Sequence, residues 1–426
     1  KILNEWTNAY AGIQAANSYL VNVDQVTTSN TQIISTLKAE VRALRAYLYI
    51  KLAALYGSVP LITTPITLEE SRTLTRTDVN QIWDFVTAEL KAAAEVLPIT
   101  QAEKGRFTKG AALALHARAM LYAERFSEAA VSAKQVIDLN IYDIYPSYEN
   151  LFSYVAENNT EIILDRQFSK NVSPNGVFRL IGPWSQQNSR SAYVPTKALT
   201  DSYQMDSGKE ITDPSSGFDP QHPYTNRDPR LKYSIFTPGD QLPDGTIYDS
   251  RPGSGTADAV DFSWFATQTG YNIKKYLNYE DYPDPANGGI NLILIRYADV
   301  LLMYAEAMVE NNSIDQSVVD AINEVRQRPD VNLPPITGIP SQEELRKIVR
   351  NERKVELAFE GQRYFDIRRW KIAEDILPGQ VYGLTYLDND VLKTIEVTAY
   401  TRVFDPSKDY YWPIPRRETE LNPALK

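Results

Sequence analysis

The sequence predicts a mostly α-helical protein, in which helix pairs form a scaffold that carries a large loop-rich insertion with short strands. Long zones toward both ends of the chain repeat apolar residues at helical spacing, whereas the middle is rich in Pro, Gly, Ser, Asn, Asp and Tyr. A chain of 426 residues with 43% hydrophobic content can bury one large core or two ordinary ones. We divide it into a helical part at 1–139, the insertion at 140–290, and a second helical part with a tail at 291–426, all within one integrated unit.

Composition narrows the possible functions. The net charge of -10 argues against a nucleic-acid-binding surface, which needs clustered Lys and Arg. The absence of cysteine excludes disulfides and thiolate chemistry. No apolar run is long enough to span a bilayer, and a helical pattern starts at the first residues without a signal peptide. We therefore expect that the natural protein has a further segment before Lys1.

Two segments in the helical zones resemble tetratricopeptide units. The predicted helical zones are residues 3–56, 78–97, 107–139 and 292–376. In the third zone Ala117, Ala129 and Ala133 fall where two antiparallel helices must approach closely. Residues 295–328 show the same pairing, with a turn at 311–313. An unrelated helical bundle is the alternative that these patterns leave open.

The insertion contains few regular elements. Only EIILDRQF at 161–168 and YNIKKYLNY at 271–279 have the pattern of strands or extended segments. We expect the rest to consist of loops on the surface of the helical scaffold.

One charged helix places two carboxylates on its apolar side. On a helical wheel Glu352 and Glu356 fall on the stripe that contains Leu345, Val349 and Phe359. Such carboxylates are either a catalytic acid/base pair or part of a structural network with buried arginines. The candidate partners are Arg350, Arg353, Arg363, Arg368 and Arg369 nearby, and Arg42, Arg45, Arg118 and Arg296 in other helical patterns.

The sequence offers little support for familiar catalysis or for a metal site. His116 lies among Ala and Leu at helical spacing and is expected in the core, whereas His222 lies in a proline-flanked loop. None of the common nucleophile, zinc, phosphate-loop or dinucleotide motifs is present. Asp388, Asn389 and Asp390 offer oxygen ligands but lack the Gly and the distal Glu of a calcium loop, so we expect a solvated turn. We expect no cofactor and no metal.

Six segments in a fixed order carry a resemblance to a known family. They are the opening run, VRALRAYLYIKLAALYGSVPLI at 41–62, NRDPRL at 226–231, IRYADVLLMYAEA at 295–307, INEVRQR at 322–328 and YYWPIPRRETELNPAL at 410–425. Over nearly its whole length the chain resembles the SusD/RagB family of glycan-binding outer-membrane lipoproteins.

This resemblance implies about four tetratricopeptide-like helix pairs and a receptor without catalytic activity. Such a receptor binds oligosaccharide or polysaccharide at the surface of Bacteroidota-type cells and delivers it to a SusC-like TonB-dependent transporter in the outer membrane. It touches the membrane only through a lipid anchor, and the lipidated cysteine of that anchor is absent from this chain. In this setting Glu352 and Glu356 belong to a structural network.

Sugar-binding sites combine flat aromatic rings with polar groups at their edges, and two loop segments of the insertion offer both. The predicted ligand-binding residues are Trp184, Gln186 and Asn188 in the first segment, and Trp264, Phe265 and Tyr271 in the second. A core position is the alternative for each of these tryptophans, and we expect Trp83, Trp370 and Trp412, which lie within helical or motif patterns, to be structural.

Three other functions stay open at this point. The helical repeat could be a scaffold that binds proteins, or the receptor could capture a non-glycan nutrient such as a peptide. A glycoside hydrolase would need two loop carboxylates that face a cleft, and 54 acidic residues leave that possible.

Overall fold

The computed structural model describes residues 2–186 and 189–426. Its helices are α1 (Ile2–Asn22), α2 (Thr31–Tyr56), α3 (Leu68–Ser71), α4 (Val79–Val96), α5 (Lys109–Tyr122), α6 (Phe126–Ile137), α7 (Val177–Ile181), α8 (Lys197–Thr200), α9 (Pro229–Ser234), α10 (Tyr297–Glu310), α11 (Gln316–Arg326), α12 (Gln342–Glu356), α13 (Arg363–Arg369), α14 (Ala373–Ile376) and α15 (Arg416–Leu421). Its strands are β1 (Ile162–Arg166), β2 (Ile235–Phe236), β3 (Asn272–Ile273), β4 (Leu292–Arg296), β5 (Gly379–Asp388) and β6 (Val391–Arg402).

The long helices pack one after another around a shared hydrophobic core. Helix α1 packs on α2, α2 on α4, α4 on α5, α5 on α6 and α6 on α10, and α10 also contacts α11 and α12. Helix α5 lies in the middle of this series, so every residue from Gly110 to Leu121 is buried. The hydroxyl of Thr108 accepts a hydrogen bond from Ala111 N and starts the helix. The predicted mostly α, tetratricopeptide-like scaffold is confirmed.

Both predicted helix pairs are present. Ala117 of α5 and Ala129 and Ala133 of α6 have 0% exposed surface, because the two helices approach closely along these small side chains. Helix α10 ends at Glu310 and α11 begins at Gln316, which confirms the predicted turn between them.

The insertion is mostly irregular, and its start and end lie side by side. Strand β1 pairs with β4 in antiparallel orientation, and β4 leads directly into α10. The strand predicted at 161–168 is confirmed as β1, whereas in 271–279 only the two residues of β3 form a strand, paired with β2. Separate small apolar clusters, including one around Tyr148, Phe152 and Tyr276, stabilise the insertion.

The β5–β6 hairpin in the C-terminal part is an element that the sequence analysis missed. Among the side chains of β6 that the structure describes only Val397 is buried, so this strand lacks the regular apolar alternation by which a half-buried strand is recognised. Asn389 and Asp390, with φ of 50° and 61°, form the turn that joins its strands. Both residue types tolerate this left-handed region. Both are exposed, as expected for a solvated turn.

Glu352 and Glu356 of α12 are only 2% and 0% exposed. Each carboxylate accepts hydrogen bonds from more than one guanidinium, as a buried charge requires. The predicted structural network is therefore present. The partners are Arg230 and Arg326 for Glu352, and Arg230, Arg296 and Arg328 for Glu356.

Most of the predicted arginine partners are wrong. Of the candidate arginines, only Arg296 contacts one of these carboxylates. Arg353 neighbours Glu352 in sequence, but adjacent helical residues do not face each other. It lies instead 3.0 Å from Asp299 and 3.2 Å from Asp366, in a second buried cluster. Arg230 was missed because it lies in a distant segment of the insertion.

Glu352 and Glu356, with the arginines that bind them, form what we call the first ionic cluster, which joins the insertion to the helical scaffold. Arg230 comes from α9 of the insertion, and Glu161, next to β1, is 2.8 Å from Arg296. Lys275 lies 2.6 Å from Glu360, just beyond α12. These groups are buried, so separating the insertion from the helices would expose charges without their partners.

Candidate ligand-binding face

The two loop segments that contain the predicted tryptophans meet at the surface. The rings of Trp184 and Phe265 stack with centroids 5.1 Å apart and an interplanar angle of 25°. Trp264 directly precedes Phe265, and these two side chains are 79% and 43% exposed. We call Trp184, Trp264 and Phe265 the aromatic face.

Local hydrogen bonds hold Trp184 in place. The chain turns sharply after α7, where Gly182 N donates to Phe178 O at 2.9 Å. A Cβ atom on Gly182 would lie only 2.9 Å from that same oxygen, so the turn needs a glycine. Ser185 N then donates to Asp258 Oδ1 at 2.9 Å, which ties the Trp184 segment to the second loop.

The second loop presents Trp264 to solvent through a tight turn. Phe265 N donates to Ser263 Oγ at 3.2 Å, and Ala266 N donates to Ser263 O at 3.0 Å. Phe262 of the same loop is 57% exposed. Several exposed aromatic side chains in one loop indicate an interaction surface more often than a structural role.

Two of the polar residues predicted at the edges of this face, Gln186 and Tyr271, are buried. Gln186 is only 1% exposed, and its Nε2 donates to Asp244 Oδ2 at 3.1 Å. Tyr271 is 2% exposed in a core cluster, where its hydroxyl accepts hydrogen bonds from Thr200 and Tyr224. It was expected at the surface, but it directly precedes β3, whose pairing with β2 holds it in the interior. Asn188 lies outside the described residues.

Arg190 supplies the positive charge of the aromatic face. Its guanidinium carbon lies 5.7 Å from the centroid of Phe265, within the range of a cation–π contact. Asp258 lies behind the face at 3% exposure, and burial raises the pKa of its carboxyl even though Ser185 donates hydrogen bonds to it. The surface charge nearest the rings is therefore cationic.

The structure also has a cleft that the sequence analysis missed. It has a volume of about 480 Å³, and its lining includes Tyr233, Tyr279 and residues 241–243. The next residue, Asp244, accepts the hydrogen bond from Gln186. One short loop thus borders both the cleft and the Trp184 segment.

Neither histidine forms part of this face. His116 is 1% exposed, its Nδ1 lies 2.7 Å from Ser132 Oγ, and burial lowers its pKa to about 4. The predicted core position is confirmed. His222 is exposed and contacts Asp219 at 2.7 Å. Across residues 2–186 and 189–426, no group of three or more His, Cys, Asp or Glu is arranged to hold a metal ion.

The other tryptophans named in the sequence analysis are structural, as predicted. Trp83 is 4% exposed in the helical core. The indole N–H groups of Trp370 and Trp412 donate to Glu306 and to the Tyr364 hydroxyl, each at 2.5 Å. Such bonds fix the rings against the scaffold.

Comparison with known proteins identifies the family. A sequence model described as the SusD family matches residues 154–426, and a second model, described as "starch-binding associating with outer membrane", matches residues 1–121. The chain belongs to the SusD family. In the part of this SusD-family chain that the structure describes, no helix has both the length and the apolar content to cross a membrane.

Several relatives of this SusD-family protein are known. A SusD-like carbohydrate-binding protein from Bacteroides fragilis is 32% identical, with a TM-score of 0.92, over 100% of this chain and 86% of that one. A second SusD-like structure from the same species is 28% identical, with a TM-score of 0.85, over 99% and 85% of the two chains. SusD-like protein P2 of Formosa agariphila is 26% identical over 99% of this chain and 78% of its own length.

The segments that suggested the family also build the first ionic cluster. NRDPRL contributes Arg230, and INEVRQR contributes Arg326 and Arg328. The arginines of these two segments were therefore the sequence feature that could have identified the missed partners of Glu352 and Glu356.

Proposed function

We propose that this protein is a non-catalytic receptor that captures a glycan on the aromatic face. The observation that carries the proposal is the exposure of Trp264, 79%, next in sequence to Phe265, whose ring stacks on Trp184. The apolar C–H face of a sugar ring fits against an aromatic ring, and contact releases water from both. We propose that further sugar units bind in the cleft of about 480 Å³ at residues 241–243.

The family relationship supports glycan as the ligand class. The relative from Bacteroides fragilis is described as carbohydrate-binding, and a further SusD-like structure, which shares the fold with a TM-score of 0.72, is described as laminarin-binding. The family description also supports a site of action at the outer membrane. We propose that the receptor is anchored there by lipid and delivers its glycan to a SusC-like TonB-dependent transporter.

A calorimetric screen against purified polysaccharides tests glycan capture. We expect at least one glycan to bind, and Trp264→Ala to weaken that binding by about 1–3 kcal/mol, as for the loss of an interface anchor. Tyr411→Ala is the matched control, since Tyr411 is an exposed aromatic residue, 46% exposed, that lies against Gly57 of the helical scaffold. Binding only to peptides or proteins would overturn the proposal in favour of a non-glycan nutrient or of a protein-binding scaffold.

A further inference from the structure

Two arginines beside the aromatic face lack acidic partners. Among the described residues, neither Arg190 nor Arg179 forms an ion pair, and neither guanidinium donates a hydrogen bond to a side chain or a carbonyl. Both residues are exposed. Their backbones are joined, since Arg190 N donates to Arg179 O at 2.8 Å and Ala192 N donates to Leu180 O at 2.8 Å. Two like charges are thus held in neighbouring segments.

The acidic residues around the face do not neutralise these arginines. Asp244 accepts from the backbone N and the hydroxyl of Thr246, and Asp249 pairs with Arg251 at 2.6 Å. Asp258 is buried behind the face, as described above, and Asp261 accepts from Gly253 N at 3.0 Å. Only Asp249 is ion-paired, with Arg251, and none of these four carboxylates forms an ion pair with Arg190 or Arg179. With respect to the residues that the structure describes, both guanidinium groups therefore keep their donors free for a ligand, in a protein whose net charge is -10.

We infer that the aromatic face takes an acidic glycan, whose anionic group binds Arg190 while a neighbouring sugar ring packs on Trp264. The inference rests on the proposed function and adds the charge of the ligand. A guanidinium presents a planar fork of N–H donors that matches a carboxylate or a sulfate, and such charge-assisted bonds are stronger than those to a neutral hydroxyl. The contact with Phe265 places this guanidinium on the residue next in sequence to Trp264.

The test compares acidic glycans with their own neutral forms, so that sugar and linkage stay constant. The probes are polygalacturonate and alginate with their carboxyl-reduced forms, heparin and carrageenan with their desulfated forms, and neutral laminarin, starch and xylan. We expect an acidic probe to bind and its neutralised form to bind about tenfold more weakly or worse. A carboxylate pair and a sulfate pair in the panel distinguish the two sources of charge.

Variants distinguish an effect that is specific to Arg190 from an effect of the protein's net charge. Arg190→Gln should weaken binding of the acidic probe about tenfold or more, whereas Arg190→Lys should restore only part of it, because a lysine lacks the fork. Arg166→Gln is the matched control, since Arg166 is also exposed and stacks on an aromatic ring, 4.9 Å from the centroid of Phe168. It removes the same charge at another place and should leave binding unchanged.

Three results would overturn the inference, and they differ in what they say about the proposed function. If only neutral glycans bind, and Trp264→Ala but not Arg190→Gln weakens them, the ligand is neutral and glycan capture stands. If no probe binds at all, both the inference and glycan capture at this face fail. Equal losses from Arg190→Gln and Arg166→Gln would also contradict it, because the effect would then come from net charge.

Discussion

Arg230 Nη1 lies 2.8 Å from Glu356 Oε2, although 126 residues separate the two in sequence. One residue belongs to the insertion and the other to α12 of the scaffold, and both are 0% exposed. The pair is one link of the ionic cluster that holds the loop-rich part of the molecule against its helices.

Removing one acid of this cluster should destabilise the protein strongly. Glu352→Ala would leave Arg326 buried without its ion-pair partner and would remove one of the carboxylates that bind Arg230, and we expect a loss of about 3 kcal/mol or more in the free energy of unfolding. Denaturant titration measures this loss. Glu343→Ala is the control, because Glu343 lies exposed on the same helix and should leave the unfolding free energy nearly unchanged. Equal effects of the two substitutions would contradict the structural role.

The same cluster predicts that acid destabilises the fold. Burial disfavours the ionised form of Glu356, but Arg296, Arg328 and Arg230 overcome this effect and hold its pKa well below the usual 4.5. Because the carboxyl is more acidic when folded, its contribution to stability is complete above the unfolded pKa and is lost as pH falls toward the folded one. We expect the unfolding free energy to decrease from about pH 5 to about pH 3.

Denaturant titration at several pH values checks this expectation. Depressed pKa values of Glu161, Asp299 and Asp366, which also bind buried arginines, act in the same direction. A free energy of unfolding that stays constant or rises as the solution is acidified over this range would show that these carboxylates do not behave as ion-paired groups.

The two tryptophans of the aromatic face should respond differently to truncation. Trp264 makes little contact with the rest of the protein, so Trp264→Ala should weaken glycan binding and barely change the melting temperature. Trp184→Ala also removes the ring stacked on Phe265, and should cost about 0.5–1.5 kcal/mol of stability in addition. Thermal melts and calorimetry on both variants give the two quantities. A collapsed melting temperature with unchanged affinity would return these residues to a purely structural role.

A bound glycan should remain intact. The carboxylates of Glu352 and Glu356 in α12 are buried and bound by arginines. The sequence analysis identified no pair of loop carboxylates that faces a cleft. Prolonged incubation with a binding glycan, followed by chromatography, should therefore yield no shorter fragments. Reproducible fragments that disappear on substitution of a loop carboxylate would identify the protein as a glycoside hydrolase.

The helical scaffold could be predicted because its signals are local. Ala117, Ala129 and Ala133 recur at helical spacing, and the capping residue Thr108 directly precedes its helix. The burial of Glu352 and Glu356 also followed from one helical wheel. Their partners did not, because they lie in distant segments whose meeting depends on the whole fold.

The surface site could be predicted only in part, for a related reason. Loop composition predicted that Trp184 and Trp264 lie in irregular segments, but not which neighbouring polar residues face outward. Gln186 and Tyr271 are close to these rings in sequence and are buried, since irregular backbone has no fixed period. The exposed Arg190, by contrast, was not among the residues predicted to bind the ligand.

Because β1 pairs with β4, the segment between these two strands leaves the scaffold and returns to it at the same place. Ile162 pairs with Arg296, so the distance that a replacement segment must bridge is fixed and short, whatever its length. We therefore expect that the segment between these strands can be replaced by one of another length without displacing the helices. Such a replacement must retain Arg230 and Lys275, because Glu356 and Glu360, which bind them, lie outside this segment.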